Sequence, residues 1–447
     1  MGITIVQKSD LSVRKRNPKV ALVLAGGAVT GGAFKLGGLK ALDDFLVNRK
    51  TTDFDTYVGL SAGAVLSAPL AAGVSPAEMI KSLEGKSEHF SRLNLLDFYN
   101  PNFGELFSQP ARFALDVISY LPGTITDVLS QTPELAKTLR EPLSDAVRKP
   151  SLTALRELLE PIGNALARRR VMPSVLDYLP SGVFDNSSIE QYLRYNFKRA
   201  GVPNDFRGMH RKTGKELYIS AMNLDTAERV VFGHDEDNSV TVSQAVQAST
   251  ALPGFYKPAR LGDSYYVDGG VRRTANLDVA IEHQADLVIC YNPFRPFSNR
   301  VRRVMENGKL RVDGKPLAEA GILTVLNQVF RTLMHSRLQY GLRQYQEDPS
   351  FRGDIVVIEP KETDKHFFQL NALAYWQRIR AAQYGYMSAI ESIQDNYDLI
   401  KQILESYGIT MTRRQVRASV ERIREEDIEE SSEVLTQEVP TRKLSVA

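Results

Sequence analysis

A serine flanked by small residues, Gly59-Leu60-Ser61-Ala62-Gly63, stands where an apolar run, Thr56 to Leu60, gives way to a helix-forming one, Ala62 to Ala72. Strand, sharp turn and helix are the setting of a nucleophile elbow. There the backbone reverses so tightly that Gly59 and Gly63 must lack bulk, and the hydroxyl is lifted above the sheet. The N–H of Ala62, opening the helix, would point at the same reaction centre. A tight turn that merely favours glycine gives the same five residues, so the motif alone leaves chemistry and plain architecture open.

A second glycine turn precedes it. Val20 to Ala25 reads as a buried strand and runs into Gly26-Gly27-Ala28-Val29-Thr30-Gly31-Gly32, then an amphipathic helix from Ala33 to Val47. Strand, glycine turn and helix start make an anion site from exposed backbone N–H groups. Gly26-x-Ala28-x-x-Gly31 loosely matches a dinucleotide fingerprint, but about twenty residues on, where an acidic residue should end a second strand, the chain still reads as helix exit. A Walker loop fails for want of Gly-Lys-Ser/Thr. An oxyanion hole formed by Gly26, Gly27 and Ala28, serving Ser61 on the next strand, explains both turns with one site. A connector without a ligand is the plainer alternative.

The third feature is Asp268, directly after the strand-like Tyr265-Tyr266-Val267 and followed by Gly269 and Gly270. Open α/β sheets place ligands at the carboxyl ends of strands, where this carboxylate would lie. Asp-Gly is also a common turn pair, which by itself explains the residue.

The 447 residues, 43% hydrophobic and 24% charged, permit a sizeable core. A net charge of +3 gives no argument for nucleic acid. The single cysteine, Cys290, excludes an internal disulfide and fits a reducing compartment such as the cytoplasm; within Leu287-Val288-Ile289-Cys290-Tyr291 it reads as a small core residue. No cysteine–histidine cluster has zinc spacing. Thr56 to Ala77 is long enough to span a bilayer, yet its glycines and Pro69 fit strand, turn and helix better.

Around these motifs the expected layout is a loose basic arm over 1–18, one α/β domain over 19–408, and a charged, largely disordered tail over 409–447. Two insertions interrupt the domain. Residues 80–180 read as proline-broken helices, either a cap or a lipid-facing lid. Residues 295–345 are rich in arginine and lysine (Arg295, Arg300, Arg302, Arg303, Lys309), a solvated loop or a patch attracted to anionic lipid. The helix-like run from Leu317 to Tyr345 is expected to bury Leu323, Leu326, Phe330 and Leu333.

Taken in order, Gly26–Gly32 with Gly32-Ala33-Phe34-Lys35-Leu36-Gly37, then Gly59–Gly63, then Ala248-Ser249-Thr250-Ala251-Leu252-Pro253-Gly254, then Asp268-Gly269-Gly270, the chain resembles the patatin-like phospholipases over most of residues 19–400. The resemblance implies a three-layer α/β/α fold with a mostly parallel sheet, and a Ser61–Asp268 dyad acting on acyl esters of lipids with no metal or cofactor. A histidine-dependent triad would need His283, His335 or His366, none of which sits at a strand end. The chain departs from the family's pattern: a third consecutive glycine and then a basic residue are usual before the helix, whereas here Ala28 and Val29 intrude and Gly31 stands where Arg or Lys is expected; after Asp268-Gly269-Gly270 the usual Asn and Pro give way to Arg273-Thr274-Ala275-Asn276. Donors survive such Gly-to-Ala changes where φ is negative, so an active site with altered loop geometry is expected. Lipid or another acyl ester is the implied partner, with peripheral membrane contact. An esterase, thioesterase or acyltransferase on the same dyad, or a non-catalytic lipid-binding protein, are the alternatives.

Overall fold

Val20-Ala21-Leu22-Val23-Leu24 offers no polar side chain to either face, and a strand of that kind persists only with helices packed on both sides. The computed structural model, which describes residues 2–88, 90–102, 105, 180–299, 302–306, 309–313, 316–425 and 431–438, places this strand near the middle of a sheet.

The sheet's strands are β1 (Ile3–Gln7), β2 (Val20–Leu24), β3 (Thr56–Leu60), β4 (Glu216–Asn223), β5 (Arg229–Phe232), β6 (Ala259–Leu261), β7 (Ser264–Asp268), β8 (Leu287–Tyr291) and β9 (Asp354–Ile358). Their order is β1-β9-β8-β2-β3-β4-β7-β6, with β5 also paired to β4. The five central strands, β9 to β4, run parallel and the flanking ones antiparallel. Alternate side chains divide between two cores. Leu22, Leu24, Tyr57 and Ile289 pack under α1 (Ala28–Phe45), α2 (Ala62–Ala71), α3 (Val242–Thr250) and α6 (Arg378–Asp395). Val23, Val58, Val288 and Cys290 face α4 (Leu277–Glu282) and α5 (Ile322–Glu347). The result is the expected three-layer α/β/α arrangement with a parallel centre, and Cys290 is a fully buried core residue.

The chain forms two compact units, one of Met1–Asn100 with Phe184–Ala447 and one of Pro101–Val183. Most of the second, and with it most of the expected insertion over 80–180, lies outside the described residues.

Three expectations are corrected. Residues 3–7 are not a loose arm: Ile3 and Val6 are buried, β1 pairs antiparallel along β9, and the Asp354 carboxylate accepts the N–H groups of Lys8 and Ser9 at 2.8 and 2.9 Å. The tail is ordered in part, as helices Arg414–Glu425 and Ser431–Thr436, because Val416, Val434 and Leu435 reach buried positions. In α5 the register of burial is the reverse of that expected. Met334, Leu338 and Leu342 are buried, whereas Leu326, Phe330 and Leu333 are exposed; the Leu323 side chain lies outside the described residues. Among the described residues no single helix is long and apolar enough to cross a membrane; Ala62–Ala71 and Pro76–Glu84 pass only as a pair bent by 120°.

Candidate active site

Ser61 occupies the turn between β3 and α2, with φ 54° and ψ −128°, a region that residues with a Cβ rarely enter. The turn is held on two sides. The Ser61 N–H donates to Ser249 Oγ of α3 at 2.8 Å. At Gly63, any Cβ would lie 2.0 Å from the Leu24 carbonyl oxygen, so only glycine lets α2 approach the end of β2. Sharp backbone and close approach together set Ser61 in the wall of a cavity.

Asp268 ends β7, which β4 joins to β3, so the carboxylate reaches the same cavity from across the sheet. Its N–H donates to the Ala251 carbonyl at 2.9 Å, and its Oδ1 accepts the Gly270 N–H at 2.8 Å. Burial raises its pKa to about 6, an effect tempered by the adjacent Ser61 hydroxyl, the Gly270 N–H and the positive charge of Lys35. No histidine lines the cavity among the described residues. His283 gives Nδ1 to the Val279 carbonyl contact, His335 meets Glu359, and His366 packs on Tyr384.

The glycine turn forms another wall. Gly27 has φ 151° and Ala28 φ 52°, so the alanine sits in the left-handed region rather than at the negative φ expected. The N–H groups of Gly26, Gly27, Ala28 and Ala62 make no hydrogen bond among the described residues, and all four residues line the cavity with Ser61. Gly59 and Gly63 shape the elbow, and Gly269 and Gly270 the turn after the carboxylate.

Lys35, part of a motif in the sequence but with no role expected of it, reaches the site. It is fully buried in α1, beneath the glycine turn, and its Nζ donates to the carbonyls of Ala25 and Gly26, the latter at 3.0 Å. Burial lowers its pKa to about 7, opposed by Asp268 and then Cys290. The signal available was a cation whose helical neighbours Gly31, Gly38, Leu39 and Leu42 are all apolar. Ser249 was quoted only as part of a motif, since nothing local reveals a bond to a residue 188 positions away.

The cavity measures about 1560 Å³, beyond the roughly 300–1,000 Å³ of small-ligand pockets, and its wall is mainly apolar, with Leu66, Phe98, Phe255, Phe294, Phe330 and Phe367. Arg331 of α5 braces one side: its guanidinium donates to the Pro293 carbonyl at 2.9 Å and stacks over Phe367. Among the described residues no group of His, Cys, Asp or Glu is arranged to hold a metal ion.

A sequence profile described as patatin-like phospholipase matches residues 22–281, which include Ser61, Asp268, Lys35, Ser249 and the glycine turn but not the wall residues Phe294, Phe330, Arg331 and Phe367. A probable lipid hydrolase, 463L, of Invertebrate iridescent virus 6 is 23% identical over 104 residues, 23% of this chain and 36% of that protein, so the match spans about a third of the relative's length. Among solved structures, VipD from Legionella pneumophila aligns with 88% of this chain and 70% of its own at 18% identity and a TM-score of 0.38. Human GIVD cytosolic phospholipase A2, in complex with methyl gamma-linolenyl fluorophosphonate, aligns with 89% and 61% at 10% identity and a TM-score of 0.33.

Proposed function

The chain belongs to the patatin-like phospholipase family, and on that premise we propose that it is a lipid acyl hydrolase of the phospholipase A type, working through a Ser61–Asp268 dyad. The observation that carries this reading is one large apolar cavity lined at once by a strained serine, a buried carboxylate of raised pKa and unpaired backbone N–H groups. In the proposed reaction Asp268 accepts the Ser61 hydroxyl proton while Oγ bonds to the ester carbonyl carbon. The carbonyl oxygen becomes an oxyanion facing the N–H groups of Gly27, Ala28 and Ala62, each donor worth roughly 2.7–4 kcal/mol. The C–O bond to the leaving alcohol then breaks, Asp268 returns the proton to that oxygen, and an acyl-Ser61 ester remains. Water, giving a proton to Asp268, bonds to the acyl carbon; the acyl C–Oγ bond breaks as Asp268 returns the proton to Oγ, and the fatty acid and free Ser61 are released.

The reaction written this way uses no histidine. The apolar wall supports a long acyl chain over a short polar one, because each buried methylene contributes about 0.8 kcal/mol. The test is hydrolysis of a fatty-acyl ester by wild type, Ser61→Ala and Asp268→Asn, with labelling by a fluorophosphonate. Both variants are expected to lose activity while keeping the fold, and only proteins with Ser61 should be labelled. Activity retained in either variant would overturn the dyad.

A further inference from the structure

Helix α5 carries apolar side chains on two faces. Met334, Leu338 and Leu342 face the sheet. On the other face Ile322, Leu326, Val329 and Leu333 recur every three or four residues and are 68, 55, 49 and 52% exposed. The stripe is about 17 Å long at 1.5 Å per residue. It does not stop at the helix, since Leu326 and the neighbouring Phe330 also line the cavity. Beside α5, Val271 follows Gly270, lines the cavity and is 43% exposed; its carbonyl accepts from Arg337 Nη1 of α5 at 3.0 Å. Outward-facing apolar groups and the interior wall are thus one surface.

Along the helix as far as Gln346 the charge has one sign; off the helix, exposed Glu319 precedes Ile322 and Arg273 Nη2 lies 3.7 Å from the Asp278 carboxylate. From Ile322 to Gln346 the chain has no Asp or Glu, while Arg337 and Arg343 of α5, and Arg272 and Arg273 beside Val271, are exposed. An apolar stripe continuous with a cavity and bordered by arginines is ill-suited to water and well suited to a bilayer carrying anionic headgroups. We propose that the Ile322–Leu333 face of α5, with Val271, is the surface by which the protein docks on such a bilayer, the arginines meeting the headgroups and the cavity opening onto the acyl phase. The inference rests on the reading of the cavity as an acyl site, and it names the phase from which the acyl chain enters.

The Ser61→Ala protein, which should not consume its target, is mixed with phosphatidylcholine vesicles, with and without phosphatidylserine, and floated on a density gradient. Flotation is expected with phosphatidylserine and should weaken as salt rises. Val329→Glu/Leu333→Glu should lower it about tenfold or more, charged groups being strongly disfavoured in the apolar layer. Arg272→Ala should lower it about fivefold on anionic vesicles only. With Ser61 intact, the double glutamate variant should hydrolyse a soluble short-chain ester like wild type and lose activity on vesicles. Equal flotation of parent and double variant would overturn the proposal. So would a dimer, seen by light scattering, that the double variant splits, or a parent that fails to float while the double variant melts early. Ester cleavage without flotation removes the docking face and leaves the dyad standing; flotation without cleavage of any ester does the reverse.

Discussion

Ser61 and Asp268 each hold a conformation or charge that the fold alone would not favour. With φ at 54°, Ser61 carries strain of order 1–3 kcal/mol that its Cβ imposes. Ser61→Gly is therefore expected to abolish hydrolysis yet raise the melting temperature, while Ser61→Ala, keeping the Cβ, should be inactive without that gain; calorimetry on the pair distinguishes them. Asp268 has the corresponding electrostatic burden. Its folded pKa of about 6 lies above the unfolded 3.8, so the folded state prefers the proton. Stability from this group is present below pH 4, falls as pH rises through 6 and is level above it, a difference of about 3 kcal/mol. Asp268→Asn should accordingly be inactive and more heat-stable at pH 8, with the gain shrinking toward pH 4. With Asp268 as the proposed base, active only when unprotonated, kcat/KM of wild type should rise with an acid limb near pH 6.

At the scale of elements, the first helix bears on the site through a single buried cation. Lys35 ties the Ala25 and Gly26 carbonyls beneath the turn, whose Gly27 and Ala28 line the cavity and are the proposed oxyanion donors. Lys35→Met should lower kcat by roughly ten- to a hundredfold through misplaced donors, with little change in KM. It should also shift the acid limb of the pH profile upward, because a charge that lowers the Asp268 pKa is gone. A purely structural lysine would not move that limb. The elbow was legible in the sequence because its constraint is local: Gly59 and Gly63 lie two residues from Ser61. Asp268 could not be separated from a turn residue without the resemblance, and Lys35 and Ser249 act across distances that spacing does not encode. In α5, Leu326 and Leu333 on one face rival Met334 and Leu338 on the other, so periodicity identified a helix but could not choose its inner side.

For the whole molecule, the parallel centre was legible because β2 and β8 are unbroken apolar runs, and β3 and β9 become so after Thr56 and Asp354, each strand being buried throughout. The edge was not. β1 is five residues long, and its partner lies some 350 positions away. That pairing carries a practical consequence. A chain shortened by its first nine residues would present β9 as a bare ribbon of Asp354-Ile-Val-Val-Ile358, its amides ready to zip onto a neighbour's. Such a truncate is expected to sediment as aggregate at concentrations where the full chain stays monodisperse, measured by analytical ultracentrifugation. Any affinity handle fused to this protein is accordingly better attached at the opposite terminus.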